Sequence, residues 1–144
     1  MPAALDELVE ELRDADRQER IEILIDLAND LPPLPEHLSQ YKDEGHRVPE
    51  CQSPVFLFLE RDGSKVHIFA DVPPEAPTVR GFVCLLVRGL EGATAEEVLA
   101  VPNDLIQRTG MAEILGMQRA SGLSGVLRRL KLMVARTEAD PAAS

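Results

Sequence analysis

Among the side chains that could carry out chemistry, the thiol of Cys51 has the most suggestive surroundings. Cys51 lies in the stretch RVPECQSPVFLFL, between Pro49 and Pro54. Its immediate neighbours are polar, namely Glu50, Gln52 and Ser53. A nucleophilic cysteine needs a thiolate and access to its substrate. A polar loop stiffened by proline on both sides favours access, so we predict that Cys51 is presented at a loop tip.

The second cysteine, Cys84, has different surroundings. It lies in GFVCLLV, a segment that is apolar on nearly every side, where a cysteine is usually a small buried hydrophobic residue. Two cysteines without a CxxC motif are too few for a disulfide framework or a zinc ribbon. A Cys51–Cys84 disulfide stays open at this point, although nothing in the spacing favours it.

Other kinds of site find no support in the pattern of residues. His37, His46 and His67 lack the spacing that metal ligation on one element requires, and we predict no metal site. The sequence contains neither GxxxxGK[ST] nor GxGxxG, and its carboxylates fall mainly on the polar faces of predicted helices. We therefore expect no cofactor. Arg119, in LGMQRASGL, would ordinarily be a surface or capping residue, but it could stabilise a thiolate or persulfide anion if the fold brings it near Cys51.

Composition limits the class of protein. The 144 residues are enough for one globular domain, predicted over residues 1–144, with its core at about 17–136. A formal net charge of -10 argues against nucleic-acid binding, because phosphate contacts need clustered lysine and arginine. No secretory signal and no run of 18 apolar residues occurs, so we expect a cytoplasmic protein and no membrane partner.

The elements that must position Cys51 follow from hydrophobic periodicity. Apolar residues at intervals of three and four predict one broken helix or two helices over residues 5–29, followed by a long loop over 31–51. VFLFLE and KVHIFAD, joined through Asp62-Gly63, predict a β-hairpin whose first strand is covered on both faces. A buried helix is expected over residues 79–90.

The C-terminal half is predicted to be helical. Thr94 and Glu97 form a capping-box pattern, so a short helix should begin there. Short helical pieces over 103–109 and 112–115 precede a terminal amphipathic helix from Leu123, and residues 137–144 are predicted to be a disordered tail. The fold class is therefore α+β, with a small antiparallel sheet of about three strands packed against several helices.

Four stretches, taken in order, resemble landmarks of the SufE family of sulfur-acceptor proteins. They are ANDLPPLPE, HRVPECQSPVFL, TVRGFVCLL and QRASGL, and the resemblance extends over about residues 17–136. It implies a fold similar to the IscU scaffold, with Cys51 as the cysteine that receives sulfur as a persulfide. Arg119 matches an arginine that recurs before the last helix of the family. Glu50 stands where the family usually has glycine, and Asp71 is the one residue of the family's Asp-Ser-Asp-Ala motif that carries over directly.

The resemblance also implies partners. They are a cysteine desulfurase similar to SufS, which this chain would stimulate, and an iron–sulfur cluster scaffold similar to SufBCD. Residues expected to face the partner are Glu50, Gln52, Ser53 and Asp71. We predict that the Cys51 loop moves between a shielded and a presented state, and that catalysis itself belongs to the desulfurase. A second copy of this chain is a further candidate partner.

Three other functions compete with that of a sulfur acceptor. A cluster scaffold would need several converging ligands, and a thiol-redox enzyme would need a resolving cysteine close to Cys51; this sequence offers neither. The alternative that stays open is a non-catalytic protein-binding module of the same fold, in which Cys51 is incidental.

Overall fold

The protein is described by a computed structural model covering residues 1–139. Its elements in chain order are α1 (Ala3–Asp14), α2 (Arg17–Asn29), α3 (Glu36–Ser39), β1 (Phe56–Asp62), β2 (Lys65–Asp71), α4 (Pro77–Gly89), α5 (Ala95–Leu99), α6 (Leu105–Thr109) and α7 (Ala112–Ala139). The α+β class predicted from the sequence is confirmed. No helix in this part of the chain is long and apolar enough to cross a bilayer.

The first two helices pack on α4 through its small residues. At Gly81 a Cβ would lie 2.2 Å from the carbonyl oxygen of Leu24, and at Gly89 a Cβ would lie 2.7 Å from Cδ1 of Leu5. Glycine at both positions therefore lets the α1 and α2 backbones approach α4 closely. The break between α1 and α2 is stabilised by Arg20, which donates hydrogen bonds to the carbonyl oxygens at the end of α1.

The predicted hairpin is present, with β1 and β2 antiparallel and Phe58 paired with Phe69. Alternate residues of β2 are buried, because one face of the strand packs on α4. The expected third strand is wrong for the described residues, where the sheet has two strands. Arg47 and Thr94 make only isolated bridges to β1 and β2, so the neighbouring segments do not extend into strands.

The C-terminal half contains the predicted helices, but it differs from the prediction around Gly116 and at its end. The capping box at Thr94 and Glu97 is formed, with both of its backbone–side-chain hydrogen bonds. The predicted pieces at 112–115 and from 123 onward are joined in α7, which Gly116 interrupts with φ 81° and ψ 167°.

The predicted disordered tail over 137–144 begins too early. Helix α7 continues to Ala139, because Thr137 is buried and its hydroxyl donates to the carbonyl oxygen of Val134 while accepting from Arg61. The remainder of that tail, residues 140–144, lies outside the described residues.

Candidate functional site

Cys51 lies in a loop whose two ends are tied together. The amide of Val48 donates to the carbonyl oxygen of Val55 at 2.8 Å, and both valine side chains are fully buried. The intervening residues must therefore double back within a few positions. Pro49 and Pro54 lie just inside this closure, which limits the conformations that the loop can take.

The thiol itself is packed, not presented. Cys51 is 7% exposed, and its Sγ donates a hydrogen bond to the carbonyl oxygen of Gly122 in α7 at 3.3 Å. The prediction of an exposed loop tip is thus wrong for this conformation. The polar neighbours and the prolines correctly indicated a surface loop. They contain no information about α7, the helix that packs over Cys51.

Two glycines of α7 allow this packing. A Cβ at Gly122 would lie 3.1 Å from the Glu50 carbonyl oxygen and 3.5 Å from Sγ of Cys51. A Cβ at Gly125 would lie 2.6 Å from Cβ and 2.8 Å from Cγ of Glu50. Because these residues are three apart, they lie on one helix face, and their small size gives the Cys51 loop a place against the helix.

The environment disfavours the thiolate. Burial raises the pKa of Cys51 from 9.0 to about 11, and the negative charge of Glu50 adds to that shift. The thiol is therefore protonated at neutral pH and reacts slowly as a nucleophile in this conformation. A change in its surroundings that relieved the burial of Cys51 would raise the thiolate fraction.

A pocket of about 390 Å³ adjoins the thiol. Its lining residues come from the Cys51 loop, the start of α4 and the beginning of the long part of α7, and they are Glu50, Cys51, Gln52, Ser53, Glu75, Ala76, Pro77, Thr78, Val79, Gln118, Arg119, Gly122 and Leu123. Arg80 holds the start of α4 in place, since its guanidinium donates to the carbonyl oxygens of Ala28 and Val72 at 2.8 and 2.6 Å.

The structure brings together five of the six residues singled out in the sequence. Glu50, Cys51, Gln52, Ser53 and Arg119 all line the pocket. Their convergence depends on α7 crossing the loop, which sequence spacing does not reveal.

The sixth residue, Asp71, lies outside this lining. It ends β2, and its carboxylate pairs with Lys42 at 2.9 Å. The segment between β2 and α4 instead contributes Glu75 to the lining. Glu75, Thr78 and Gln118 were not predicted from the sequence. The available signal was Pro77, whose place at the first turn of α4 indicates where that helix begins.

The remaining candidate groups have structural partners. Cys84 is fully buried in α4, and both cysteines are free thiols. The three histidines are dispersed, each beside a carboxylate: His37 with Glu60, His46 with Asp43 and His67 with Glu91. Within residues 1–139 there is no cluster of three or more histidine, cysteine or carboxylate side chains that could hold a metal ion.

Comparison with known proteins gives a consistent result. The family model SufE, described as an Fe-S metabolism associated domain, matches residues 6–134. An uncharacterized SufE-like protein of Mycobacterium tuberculosis is 39% identical over 132 residues, which cover 91% of each chain. The sulfur acceptor protein CsdE of Escherichia coli is 32% identical over 105 residues, covering 72% of this chain and 68% of CsdE.

A solved structure is similar throughout. The solution structure of a hypothetical protein from Thermus thermophilus superposes with a TM-score of 0.84 at 34% sequence identity. The match covers 97% of this chain and 99% of that one. The similarity therefore extends over the whole domain and is not confined to the Cys51 loop.

Proposed function

Because the chain belongs to the SufE family, we propose that it is a sulfur acceptor in iron–sulfur metabolism, with Cys51 as the residue that receives the sulfur. The observation that supports this role most strongly is that Cys51 and Arg119, from distant parts of the chain, line the same pocket. A thiol at a cavity that an arginine also lines is suited to holding one additional sulfur atom as an anion.

The proposed transfer is a thiol exchange. The Cys51 thiolate attacks the outer sulfur of a cysteine persulfide on the desulfurase, and the sulfur–sulfur bond of that persulfide breaks. The desulfurase cysteine leaves as a thiolate and takes up the proton that Cys51 lost. Cys51 now holds the persulfide, and the pair of proteins undergoes no net oxidation or reduction.

The conformation described above is proposed as the shielded state of this cycle. Its thiol is 7% exposed and its pKa is raised to about 11, so it is poorly suited to attack. Binding of the desulfurase would draw the loop away from α7 and stimulate the desulfurase by supplying an acceptor thiol. Drawing the loop away removes burial, which is the larger cause of the raised pKa.

The other site residues receive roles in the same proposal. Arg119 stabilises the thiolate or persulfide anion, while Glu50, Gln52 and Ser53 face the partner at the rim of the pocket. Asp71 would contact the partner only at a second position, since it does not line this pocket. Cys51 would then pass sulfur to a scaffold complex similar to SufBCD. We place the exchange in the cytoplasm, where thiols are kept reduced.

The burial of Cys51 favours a second candidate function. A protonated, packed cysteine is what a non-catalytic binding module of this fold would contain, and such a module could also pair with a second copy of the chain. In that case, Cys51→Ser would leave the activity of the protein intact.

Intact-protein mass spectrometry after incubation with a cysteine desulfurase and cysteine separates the two functions. The sulfur-acceptor function predicts a gain of sulfur by the wild type and by Cys84→Ser, and no gain by Cys51→Ser. Binding of the desulfurase without sulfur gain would favour the binding module. Uptake that survives Cys51→Ser would reject Cys51 as the acceptor.

A further inference from the structure

A groove lies against the edge of β1 that faces away from β2. Its volume is about 330 Å³, and its walls come from α3, β1, the residues just before the Cys51 loop and the last turns of α7. One wall includes His46, whose ring stacks on Phe58 at 4.5 Å and bonds to Asp43. The groove shares no lining residue with the Cys51 pocket, so the proposed function gives it no role.

The backbone of β1 offers unused hydrogen-bonding groups to this groove. The amide of Leu57 points away from β2, because it donates to the carbonyl oxygen of His46 at 2.9 Å. Peptide groups two residues apart point the same way along a strand, so the amide and carbonyl of Leu59 also point away from β2. No group within residues 1–139 bonds to either of them. An unpaired stretch of strand edge is a template to which another extended segment can add.

The groove is basic although the protein is strongly acidic. The formal net charge of the chain is -10, yet no aspartate or glutamate of the described residues lines the groove. Arg129 and Arg136 do line it. Arg136 is exposed and pairs with no carboxylate among the described side chains, so its charge is available to a ligand. The half-buried Met133 adds apolar surface between them. Charge complementarity therefore selects an acidic ligand with some apolar content.

We propose that this groove binds an extended acidic segment of a partner protein, which adds to the open edge of β1 as a further strand. The backbone of that segment pairs with the amide and carbonyl of Leu59, and one of its apolar side chains packs on Met133. Its carboxylates pair with Arg129 and Arg136. Arg129 is held in position for this, because it donates to the carbonyl oxygen of Gly45 at 2.9 Å and has further N–H donors to offer. The proposal does not depend on sulfur transfer at Cys51.

The probe is a capped pentapeptide of alternating glutamate and valine, titrated into the isotope-labelled full chain. Nuclear magnetic resonance locates the perturbed amides, and hydrogen exchange measures the protection of the Leu59 amide. One control peptide replaces every glutamate by lysine, and a second is N-methylated at each peptide bond, which removes its backbone donors. The protein variants are Arg136→Gln and the matched control Arg128→Gln, an exposed arginine of α7 outside the groove.

We expect the glutamate peptide to shift the amides of Gly45 and Leu59. At a peptide concentration about ten times its Kd, hydrogen exchange at Leu59 should slow by about tenfold. Arg136→Gln should weaken binding by about threefold, as loss of an exposed ion pair does, and Arg128→Gln should leave it unchanged. Neither control peptide should bind.

Four results would overturn the proposal. Leu59 could already be protected in the protein alone, which would mean that the chain itself or a second copy covers the edge. The glutamate peptide could fail to bind, or could bind without protecting Leu59. Either control peptide could bind as well as the glutamate peptide, which would exclude charge selection or strand pairing. Equal effects of Arg136→Gln and Arg128→Gln would show that the groove is not where the peptide's charges are read.

Discussion

Gly125→Ala should release Cys51 from its shielded position. The new methyl group would lie 2.6 Å from Cβ and 2.8 Å from Cγ of Glu50, closer than carbon atoms can pack. These atoms are near the backbone, so rotating the end of the glutamate side chain cannot relieve the clash. The loop must move away from α7, while alanine is favoured over glycine within the helix by about 1 kcal/mol.

The size of the effect follows from the pKa of Cys51. At pH 8 a thiol with a pKa of about 11 is roughly 0.1% thiolate, whereas one at the unperturbed 9.0 is roughly 10% thiolate. Full release would therefore raise the alkylation rate by about 100-fold, and partial release by about tenfold. The assay is iodoacetamide labelling at pH 8, with Cys51 and Cys84 followed separately by peptide mass spectrometry.

Two controls make the result interpretable. Cys84 is fully buried in α4, so its labelling should stay unchanged unless the whole domain unfolds. Glu50→Gly removes the atoms that clash, so in that background Gly125→Ala should alter Cys51 labelling by less than about twofold. Unchanged Cys51 labelling in Gly125→Ala, or a parallel increase at Cys84, would refute the packing argument.

Three further predictions follow from individual groups. Glu50→Gln should move the pH midpoint of Cys51 labelling below about 11 but keep it above 9.0, because burial is the larger cause of the raised pKa. Glu75 does not contribute to that shift, so the control Glu75→Gln should leave the midpoint unchanged. Arg119→Gln should slow sulfur uptake at saturating desulfurase by about tenfold, and Arg119→Lys should restore part of the rate. The control Arg128→Gln, at an exposed position, should have no effect. Equal uptake rates for Arg119→Gln and the wild type would exclude an anion-stabilising role. Gly81→Ala should lower the free energy of unfolding by about 3 kcal/mol or prevent folding, because its Cβ would meet the Leu24 carbonyl. The control Gly45→Ala should change the free energy of unfolding by less than about 0.5 kcal/mol. Urea denaturation measures both.

Local signals predicted most of the fold. The capping box at Thr94, the Asp62-Gly63 turn and the helical periodicity near the N-terminus each depend on residues close in sequence, and each element is present. The number of strands was overestimated because strand pairing is decided by distant partners. Arg47 and Thr94 pair with the hairpin at single positions, which local propensity does not distinguish from a short strand.

Sequence neighbours of Cys51 could be singled out as candidates, but the conformation of its loop could not. The cysteine and its polar neighbours, singled out from the sequence, line one pocket, but the burial of Cys51 was not predicted. The signal for burial was present in Gly122 and Gly125, since small residues three apart on a helix allow another segment to approach its backbone. Which segment approaches depends on the path of the whole chain, and periodicity contains no information about that path.

The measurement that tests the central claim most directly is a single-turnover transfer. A desulfurase already loaded with persulfide is mixed with an equimolar amount of this protein in the absence of free cysteine. The masses of both proteins are then followed over time by mass spectrometry. We predict that one sulfur atom leaves the desulfurase as one appears on this chain, and that peptide mapping locates it on Cys51. Loss of sulfur from the desulfurase without its appearance on Cys51, or no loss although the two proteins bind, would contradict the account.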